Sequence, residues 1–144
     1  MKVVMANDHG GVELAKKFLD YLNDKGIVVT YLGVDSAEKP VDYPDMADKA
    51  VKEYDAGNYD YGILVCGSGI GISVAANKHS GIVCALPQNE DVAILSREHN
   101  GANFIAFGGR VNYPDDPVSM LDRFLHTPMS LEDRHVRRRE RLFK

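Results

Sequence analysis

The residue with the clearest chemical potential is Cys66, which opens a glycine-rich segment with the sequence CGSGIG. Gly67, Gly69 and Gly71 occupy alternate positions between an apolar run and a helical pattern. Glycine lets backbone N–H groups approach a ligand closely, and a helix N-terminus favours negative charge. The same position favours a thiolate over a thiol. The segment therefore predicts an anion cradle beside a cysteine that could act as a base or a nucleophile.

The segment does not match the established nucleotide or nucleophile motifs. Its spacing is neither the dinucleotide fingerprint nor a Walker A loop. A Cys-x5-Arg loop would need arginine where Ile72 stands, and a G-x-S-x-G elbow at Ser68 would need glycine in place of Cys66 and Ile70. Covalent hydrolysis is therefore disfavoured and proton transfer stays open. A tight turn with a buried structural cysteine is the alternative, and Cys84, inside a strand, is assigned to that structural class.

Two histidine-containing pairs lie where elements end. Asp8-His9 follows the first apolar run, and His99-Asn100 closes the helix before the last strand. A surface role is the safer interpretation of any single histidine, but two such positions favour function. The remaining histidines show no metal-ligand spacing, and the H-E-x-x-H motif is absent from the sequence, so we expect no metal site. These are His79, His126 and His135.

The last fifteen residues are basic, although the whole chain has a formal charge of -4. Arg134 and Arg138 are four residues apart and share a helix face, so their guanidinium groups suit a phosphate. Arg137 and Arg141 have the same spacing, and spacing alone does not choose between the pairs. A solvated helix face is the simpler interpretation. The rest of the chain is acidic and contains no nucleic-acid recognition motif, which argues against a nucleic-acid partner.

The pattern of apolar runs predicts the elements that position these groups. Buried strands are predicted at 2–7, 27–32, 61–66, 82–86 and 102–107, and helices at 12–25, 44–56, about 70–79, 90–99, 114–126 and 131–142. Alternation of strands and helices implies a parallel sheet covered on both faces. Ligands of such sheets bind outside the carboxyl ends of the strands. In this chain the strand ends carry Asp8-His9, residues 66–71 (called the Cys66 loop) and Arg110.

Composition places the chain among ordinary globular proteins. Its 144 residues suit one domain, 1–144, with 44% apolar and 26% charged residues. Two cysteines give no disulfide framework, and no apolar run is long enough to span a bilayer. The first residues do not read as a signal peptide, so we expect a cytoplasmic protein without a membrane partner.

Seven segments in order resemble the ribose/galactose isomerase family, and within it the type B ribose 5-phosphate isomerases. The Cys-Gly-Ser-Gly-x-Gly loop with Arg-Glu-His-Asn downstream is the most specific part. The matching segments are 7–11 (NDHGG), 41–47 (VDYPDMA), 63–72 (ILVCGSGIGI), 75–78 (AANK), 97–103 (REHNGAN), 108–110 (GGR), and Arg134-His135 with Arg138.

This resemblance implies a three-layer α/β/α Rossmann-like sandwich with a five-stranded parallel sheet and an extra C-terminal helix. It also implies an aldose–ketose isomerase of a sugar phosphate that needs no metal or organic cofactor. The family forms homodimers, sometimes homotetramers, with the active site between two subunits. The C-terminal helix, about 131–142, is accordingly expected to pack on the partner subunit and reach that subunit's pocket.

The resemblance also implies roles in the reaction. Cys66 would move a proton between C1 and C2 of the open-chain sugar, and His99, with Asp8 nearby, would open the sugar ring. The enediolate oxygen would be stabilised by Ser68 and the loop amides, namely those of Gly67, Gly69, Ile70 and Gly71.

The remaining implied roles concern substrate binding. Asn100 would contact the substrate and Tyr43 would line the pocket. The phosphate would be held by residues from three segments: His9, Arg134 and Arg138, with Arg110 in support.

The chain departs from the family pattern after the fourth strand. Val83 and Cys84 stand where the family often has arginine and alanine, and Pro87-Gln88-Asn89 replaces the commoner Cys-His-Asp. This stretch lies close to the expected pocket, so it bears on the choice of sugar. Ribose 5-phosphate is the first expectation, and a six-carbon aldose phosphate such as allose or galactose 6-phosphate is the second. A non-catalytic domain that binds a phosphate ligand is a further alternative.

Overall fold

A computed structural model describes residues 1–143 and has a parallel sheet at its centre. The five strands lie in the order β2-β1-β3-β5-β4, and every neighbouring pair is parallel. This confirms the predicted α/β class. The strands are β1 (Lys2–Asn7), β2 (Val28–Tyr31), β3 (Tyr61–Cys66), β4 (Cys84–Ala85) and β5 (Phe104–Gly108).

Helices cover both faces of the sheet and confirm the three-layer sandwich. One face is packed by α1, α4 and α5, and the other by α2 and α3. The last helix, α6, is the predicted C-terminal addition, and a short 3-10 turn at His9–Gly11 precedes α1. The helices are α1 (Val12–Asp24), α2 (Tyr43–Ala56), α3 (Ile70–Asn77), α4 (Glu90–Glu98), α5 (Pro117–His126) and α6 (Asp133–Leu142).

Strand β1 shows why the apolar runs are continuous. Val3 and Met5 belong to the core under α1, α4 and α5, while Val4 and Ala6 belong to the core under α2 and α3. Successive side chains of a strand point to opposite faces, so a sheet buried on both faces needs apolar residues at every position. All four side chains are fully buried.

Strand β4 is shorter than the predicted 82–86, and side-chain amides bind backbone groups at its start. The amide of Cys84 donates to Asn77 Oδ1 at 2.7 Å, and its carbonyl accepts from Asn77 Nδ2 at 2.9 Å. Val83 likewise donates to Asn103 Oδ1. The two-residue strand lies at the sheet edge, where capped backbone groups limit edge-to-edge pairing.

Two helices begin later than predicted. The Asp116 carboxylate accepts a hydrogen bond from the Val118 amide, and this N-cap starts α5 at Pro117 rather than at 114. Helix α6 begins at Asp133 rather than at 131.

The chain connections create two crevices at the carboxyl edge of the sheet. The connection after β1 leads into α1 on one face, and the connection after the neighbouring β3 leads into α3 on the other. The connection after β5 leads back to the first face with α5. Loops that diverge to opposite faces leave room between them, which is where doubly wound sheets bind ligands.

Candidate active site

The three loops that follow β1, β3 and β5 meet around Cys66. The Gly109 amide donates to the Cys66 carbonyl at 2.7 Å, and the Arg110 amide donates to the Gly67 carbonyl at 3.0 Å. On the other side, the Asp8 amide donates to the carbonyl of the residue before Cys66, at 3.1 Å. The sheet ladder thus continues past the strand ends and fixes the loops to one another.

Glycine is required where these loops touch through their backbones. A Cβ on Gly10 would lie 2.9 Å from the Gly67 nitrogen, and one on Gly109 would lie 2.4 Å from the Gly10 carbonyl oxygen. Both distances are too short for a side chain facing rigid backbone. The sequence segments NDHGG and GGR are therefore explained by close packing of the loops.

Cys66 lies at the base of this cluster beside the start of α3, with 4% of its surface exposed. The Gly69 amide donates to its Sγ at 3.1 Å, and Gly69 adopts the left-handed conformation, φ +79°, that turns the chain into the helix. The Ile70 amide donates to Ser68 Oγ at 3.2 Å. The first turn of a helix leaves N–H groups without intrahelical partners, so the sulfur borders a positive N-terminus.

The second cysteine lies in a different environment. Burial raises the pKa of the Cys84 thiol far above its ordinary value, because no solvent stabilises the thiolate. This agrees with the structural role expected for Cys84.

Asp8 and His9 project from the loop after β1. The nearly buried Asp8 carboxylate accepts from the Gly10 amide at 2.8 Å. His9 Nδ1 accepts from the Val41 amide at 3.3 Å. In the neutral ring this contact assigns the proton to Nε2, which then serves as the donor towards a ligand.

Asn7 organises this loop, and the sequence interpretation missed it. Its fully buried side chain donates to the Asp8 carbonyl at 2.9 Å and to the Val34 carbonyl at 3.0 Å. Its Oδ1 accepts from the Tyr31 hydroxyl at 2.7 Å. The sequence did offer a signal, because Asn7 is a polar residue at the end of an apolar run. A buried amide side chain needs hydrogen-bond partners.

Tyr43 and Arg110 border the Cys66 loop. Tyr43 begins α2 and is 41% exposed, and its ring lies 2.6 Å from where a Cβ on Gly71 would stand. The Arg110 guanidinium lies 3.2 Å from the equivalent point on Gly67. An aromatic wall and a cation therefore flank the glycine amides.

The side chain of Tyr113 binds the end of β5. Its hydroxyl accepts from the Gly108 amide at 2.8 Å. Burial raises the pKa of Tyr113, and the nearby Cys66 raises it further, so the phenol stays protonated near neutral pH.

A second group of the expected residues lies at the opposite edge of the sheet. His99 ends α4, which runs antiparallel to the strands and returns the chain to the edge where β5 begins. The five residues of β5 alone rise about 16 Å. Within one chain, Asp8 and His99 therefore lie at opposite edges of the sheet, and their expected proximity in a site between two subunits stays a prediction.

Helix α6 is fastened to this opposite edge. The Ser130 amide donates to the Glu98 carbonyl at 2.9 Å, and the buried Arg139 donates to the carbonyls of Glu98 and Ser130 at 3.2 and 2.6 Å. His99 and Asn100 thus lie beside α6 rather than beside Cys66.

Within this second group, His135 stacks on His99. Their ring centroids are 4.1 Å apart with an interplanar angle of 27°. Burial lowers the pKa of His135, with smaller contributions from His99, Arg134 and Arg138. The two arginines predicted as a pair are four residues apart on α6 and flank His135 in the sequence, and Arg134 also pairs with Glu132 at 2.9 Å.

A cavity of about 510 Å³ opens beside the Cys66 loop. Its wall includes the segment that departs from the family pattern, through Pro87 and Gln88, together with Ser68 and Ile70. Of the departures noted in the sequence, Pro87-Gln88-Asn89 therefore lines this cavity, whereas Val83 and Cys84 do not.

Within residues 1–143, no group of three or more His, Cys, Asp or Glu side chains is arranged to hold a metal ion. None of the helices described there combines the length and apolar character needed to cross a membrane.

Comparison with known proteins agrees with this arrangement. A putative sugar phosphate isomerase of Bacillus subtilis is 42% identical over 79% of this chain and 76% of its own length. A ribose-5-phosphate isomerase B of Mycolicibacterium paratuberculosis is 36% identical over 96% of this chain and 87% of its own.

Solved structures show the same fold. A ribose 5-phosphate isomerase from Thermotoga maritima matches with a TM-score of 0.91 and 41% identity, covering 98% of this chain and 96% of the other. Ribose-5-phosphate isomerase B of Clostridium thermocellum matches with a TM-score of 0.92 and 38% identity, covering 99% and 95%. The family model described as Ribose/Galactose Isomerase matches residues 3–142. Together these matches show that the chain belongs to the ribose/galactose isomerase family and is an isomerase of sugar phosphates.

Proposed function

We propose that this chain interconverts ribose 5-phosphate and ribulose 5-phosphate through an enediolate, without a metal ion. The observation that carries the proposal is the position of Cys66, whose Sγ lies beside the Gly69 amide where three loops converge. The names of the relatives from Mycolicibacterium paratuberculosis and Thermotoga maritima support ribose 5-phosphate as the substrate.

The proposed chemistry is a proton transfer by Cys66. Its thiolate removes the proton from C2 of the open-chain aldose, and the electron pair forms the C1=C2 bond while O1 gains negative charge. The resulting thiol exchanges its hydrogen with water and returns a proton to C1, while the O2 proton passes to O1 and O2 becomes the carbonyl. A positioned base of this kind contributes roughly 10²- to 10⁴-fold to the rate.

The loop after β3 is proposed to stabilise the negative charge that develops on O1. Backbone amides at the start of α3, together with the Ser68 hydroxyl, offer donors whose positions are fixed before the substrate arrives. Two of these amides, those of Gly69 and Ile70, donate to Cys66 Sγ and Ser68 Oγ in this structure and would turn to the oxyanion when it forms. One such preorganised donor contributes about 3 kcal/mol to transition-state stability. The amides of Gly67, Gly69, Ile70 and Gly71 are the proposed donors.

One chain cannot supply the whole site, because His99, Arg134 and Arg138 lie at the opposite edge of the sheet. We propose that a second copy supplies them. In that arrangement His9 and the second copy's arginines hold the phosphate with Arg110 in support. The second copy's His99, with Asn100 beside it, meets Asp8 and opens the sugar ring.

The surface offers a face for such a pair. Exposed apolar side chains flank the edge strand β4: Ile70 and Val74 on α3, Leu86 after the strand, and Leu95 on α4. A two-fold contact pairs the same face of both copies. An axis perpendicular to the strands reverses their direction, so it brings the carboxyl edge of one sheet next to the starting edge of the other. A homodimer of this kind completes two sites, and its further pairing would give a homotetramer.

A coupled assay of both sugar phosphates tests the proposal. The wild-type chain, treated with EDTA, is offered ribose 5-phosphate and allose 6-phosphate, since the Pro87-Gln88-Asn89 segment lines the adjoining cavity. Turnover of either supports a metal-independent isomerase, and the preferred sugar identifies the substrate. Binding of both without turnover would instead favour a phosphate-binding domain.

Matched cysteine variants test the assigned base. Cys66→Ala is expected to abolish turnover while the fold and phosphate binding survive, and Cys84→Ala serves as the control for loss of a buried thiol. Full activity of Cys66→Ala would remove the proposed base.

The two unpaired cysteines also suit a reducing cytoplasm, where we place the enzyme.

A further inference from the structure

The stacked histidine pair at the end of α4 has a consequence for ring opening. His99 follows the last residue of α4, where one backbone hydrogen bond, from its amide to the Leu95 carbonyl at 2.8 Å, fixes the main chain. That contact does not determine the direction of the imidazole. A group that must face a substrate held by another copy needs a side-chain support as well.

His135 provides a rigid support. It is 6% exposed, and its Nδ1 lies 2.8 Å from the Ser130 hydroxyl. Ser130 is in turn bound to Glu98 through its amide and to Arg139 through its carbonyl. The His135 ring is therefore fixed by the same contacts that fasten α6 to α4, and its face covers that of His99 at 4.1 Å.

We propose that His135 is a positioning residue for ring opening, because its fixed imidazole stacks on His99 and aims that ring into the active site of a second copy. This inference rests on the proposed function for the identity of the reaction. It assigns a role to a residue that contacts neither the reacting carbons nor, in this arrangement, the phosphate.

The charges around the pair agree with a neutral support. His99, which follows α4, disfavours a proton on His135, as do Arg134 and Arg138 on α6. Glu132, just before α6, favours that proton but does not reverse the direction of the pKa shift. A neutral His135 can stack on His99 in either protonation state of the latter without repelling it.

A comparison of two substrates distinguishes a positioning role of His135 from a general loss of active-site structure. Ribose 5-phosphate is largely cyclic, whereas 4-deoxyribose 5-phosphate lacks the ring-forming hydroxyl and stays open. His135→Ala removes the stacked ring, and His135→Phe keeps a flat ring of similar size. His126→Ala, at an exposed histidine on α5, is the matched control.

We expect His135→Ala to lower kcat for ribose 5-phosphate at least tenfold with KM within twofold, and to leave turnover of the open substrate near that of the wild type. His135→Phe should recover most of the loss. Equal losses on both substrates, or a raised KM for both, would show a purely structural role and overturn the proposal. Unchanged turnover of ribose 5-phosphate would also overturn it.

A spectroscopic readout keeps the inference testable even if the wild type turns over neither sugar. The Cε1 proton of His99 lies under the ring current of His135, so its NMR shift should move in His135→Ala and stay nearly unchanged in His135→Phe. If His135→Ala does not fold, Ser130→Ala loosens the same ring and should move this resonance part of the way. An unmoved resonance in the variants that fold would refute the stacking role, whatever the fate of the proposed function.

Discussion

Complementation between two inactive variants tests whether the active site is shared between chains. The first variant is Cys66→Ala, which loses the proposed base. The second is the double variant Arg134→Ala with Arg138→Ala, which loses the proposed phosphate ligands. Each charge-assisted hydrogen bond contributes about 1.5–3 kcal/mol, so the double variant should lose roughly 10²- to 10⁴-fold in kcat/KM.

The expected recovery follows from the geometry. Cys66 lies at the carboxyl edge of the sheet and the arginines lie at the other, with about 16 Å of strand between the two edges. A shared site takes Cys66 from one chain and both arginines from its neighbour. After random mixing, about a quarter of the sites combine the intact cysteine with the intact arginines, so activity should return to about 25% of the wild-type level.

The assay needs chain exchange and two controls. The variants are unfolded together in urea, refolded by dilution and assayed with ribose 5-phosphate below KM. Each variant refolded alone gives the baseline, and native mass spectrometry, which distinguishes the two variants by mass, checks that mixed dimers form. Activity that stays at the baseline in the mixture, despite exchange, would refute the shared site and require both groups to act within one chain.

Three further predictions concern single positions. Gly109→Ala places a methyl group 2.4 Å from the Gly10 carbonyl oxygen, so it should lower the free energy of unfolding in urea by about 1–3 kcal/mol. Tyr113→Phe leaves the Gly108 amide without its hydroxyl partner and should cost about 1–3 kcal/mol in the same measurement. Burial raises the pKa of Cys84, so iodoacetamide at pH 8 should leave this thiol unmodified in the folded protein, as peptide mass spectrometry can show.

The fold was predictable from the sequence because a sheet buried on both faces needs uninterrupted apolar strands. Lys2–Asn7 and Tyr61–Cys66 were predicted with the bounds that the structure has. The edge strand was not: it has only two residues, and the side chains of Asn77 and Asn103 bind the backbone of Cys84 and Val83. The spacing of apolar residues in the sequence carries no information on such contacts between side chains and the backbone.

The candidate site was only partly predictable, for a reason that lies in the topology. Residues that follow strands, such as Asp8 and Cys66, could be grouped because parallel strands end at one edge. His99 follows a helix, so the same rule places it at the other edge, apart from Asp8. The sequence also gave no sign that His135 stacks on His99, because that contact depends on how α6 packs against α4.

Isomerisation in D2O, followed by proton NMR, tests the role of Cys66 most directly. If Cys66 moves the substrate hydrogen as a proton through an enediolate, wild-type ribulose 5-phosphate should carry deuterium at C1, and Cys66→Ala should neither form product nor exchange the C2 hydrogen of ribose 5-phosphate. Product formation by Cys66→Ala, or exchange at C2 that persists in that variant, would contradict it.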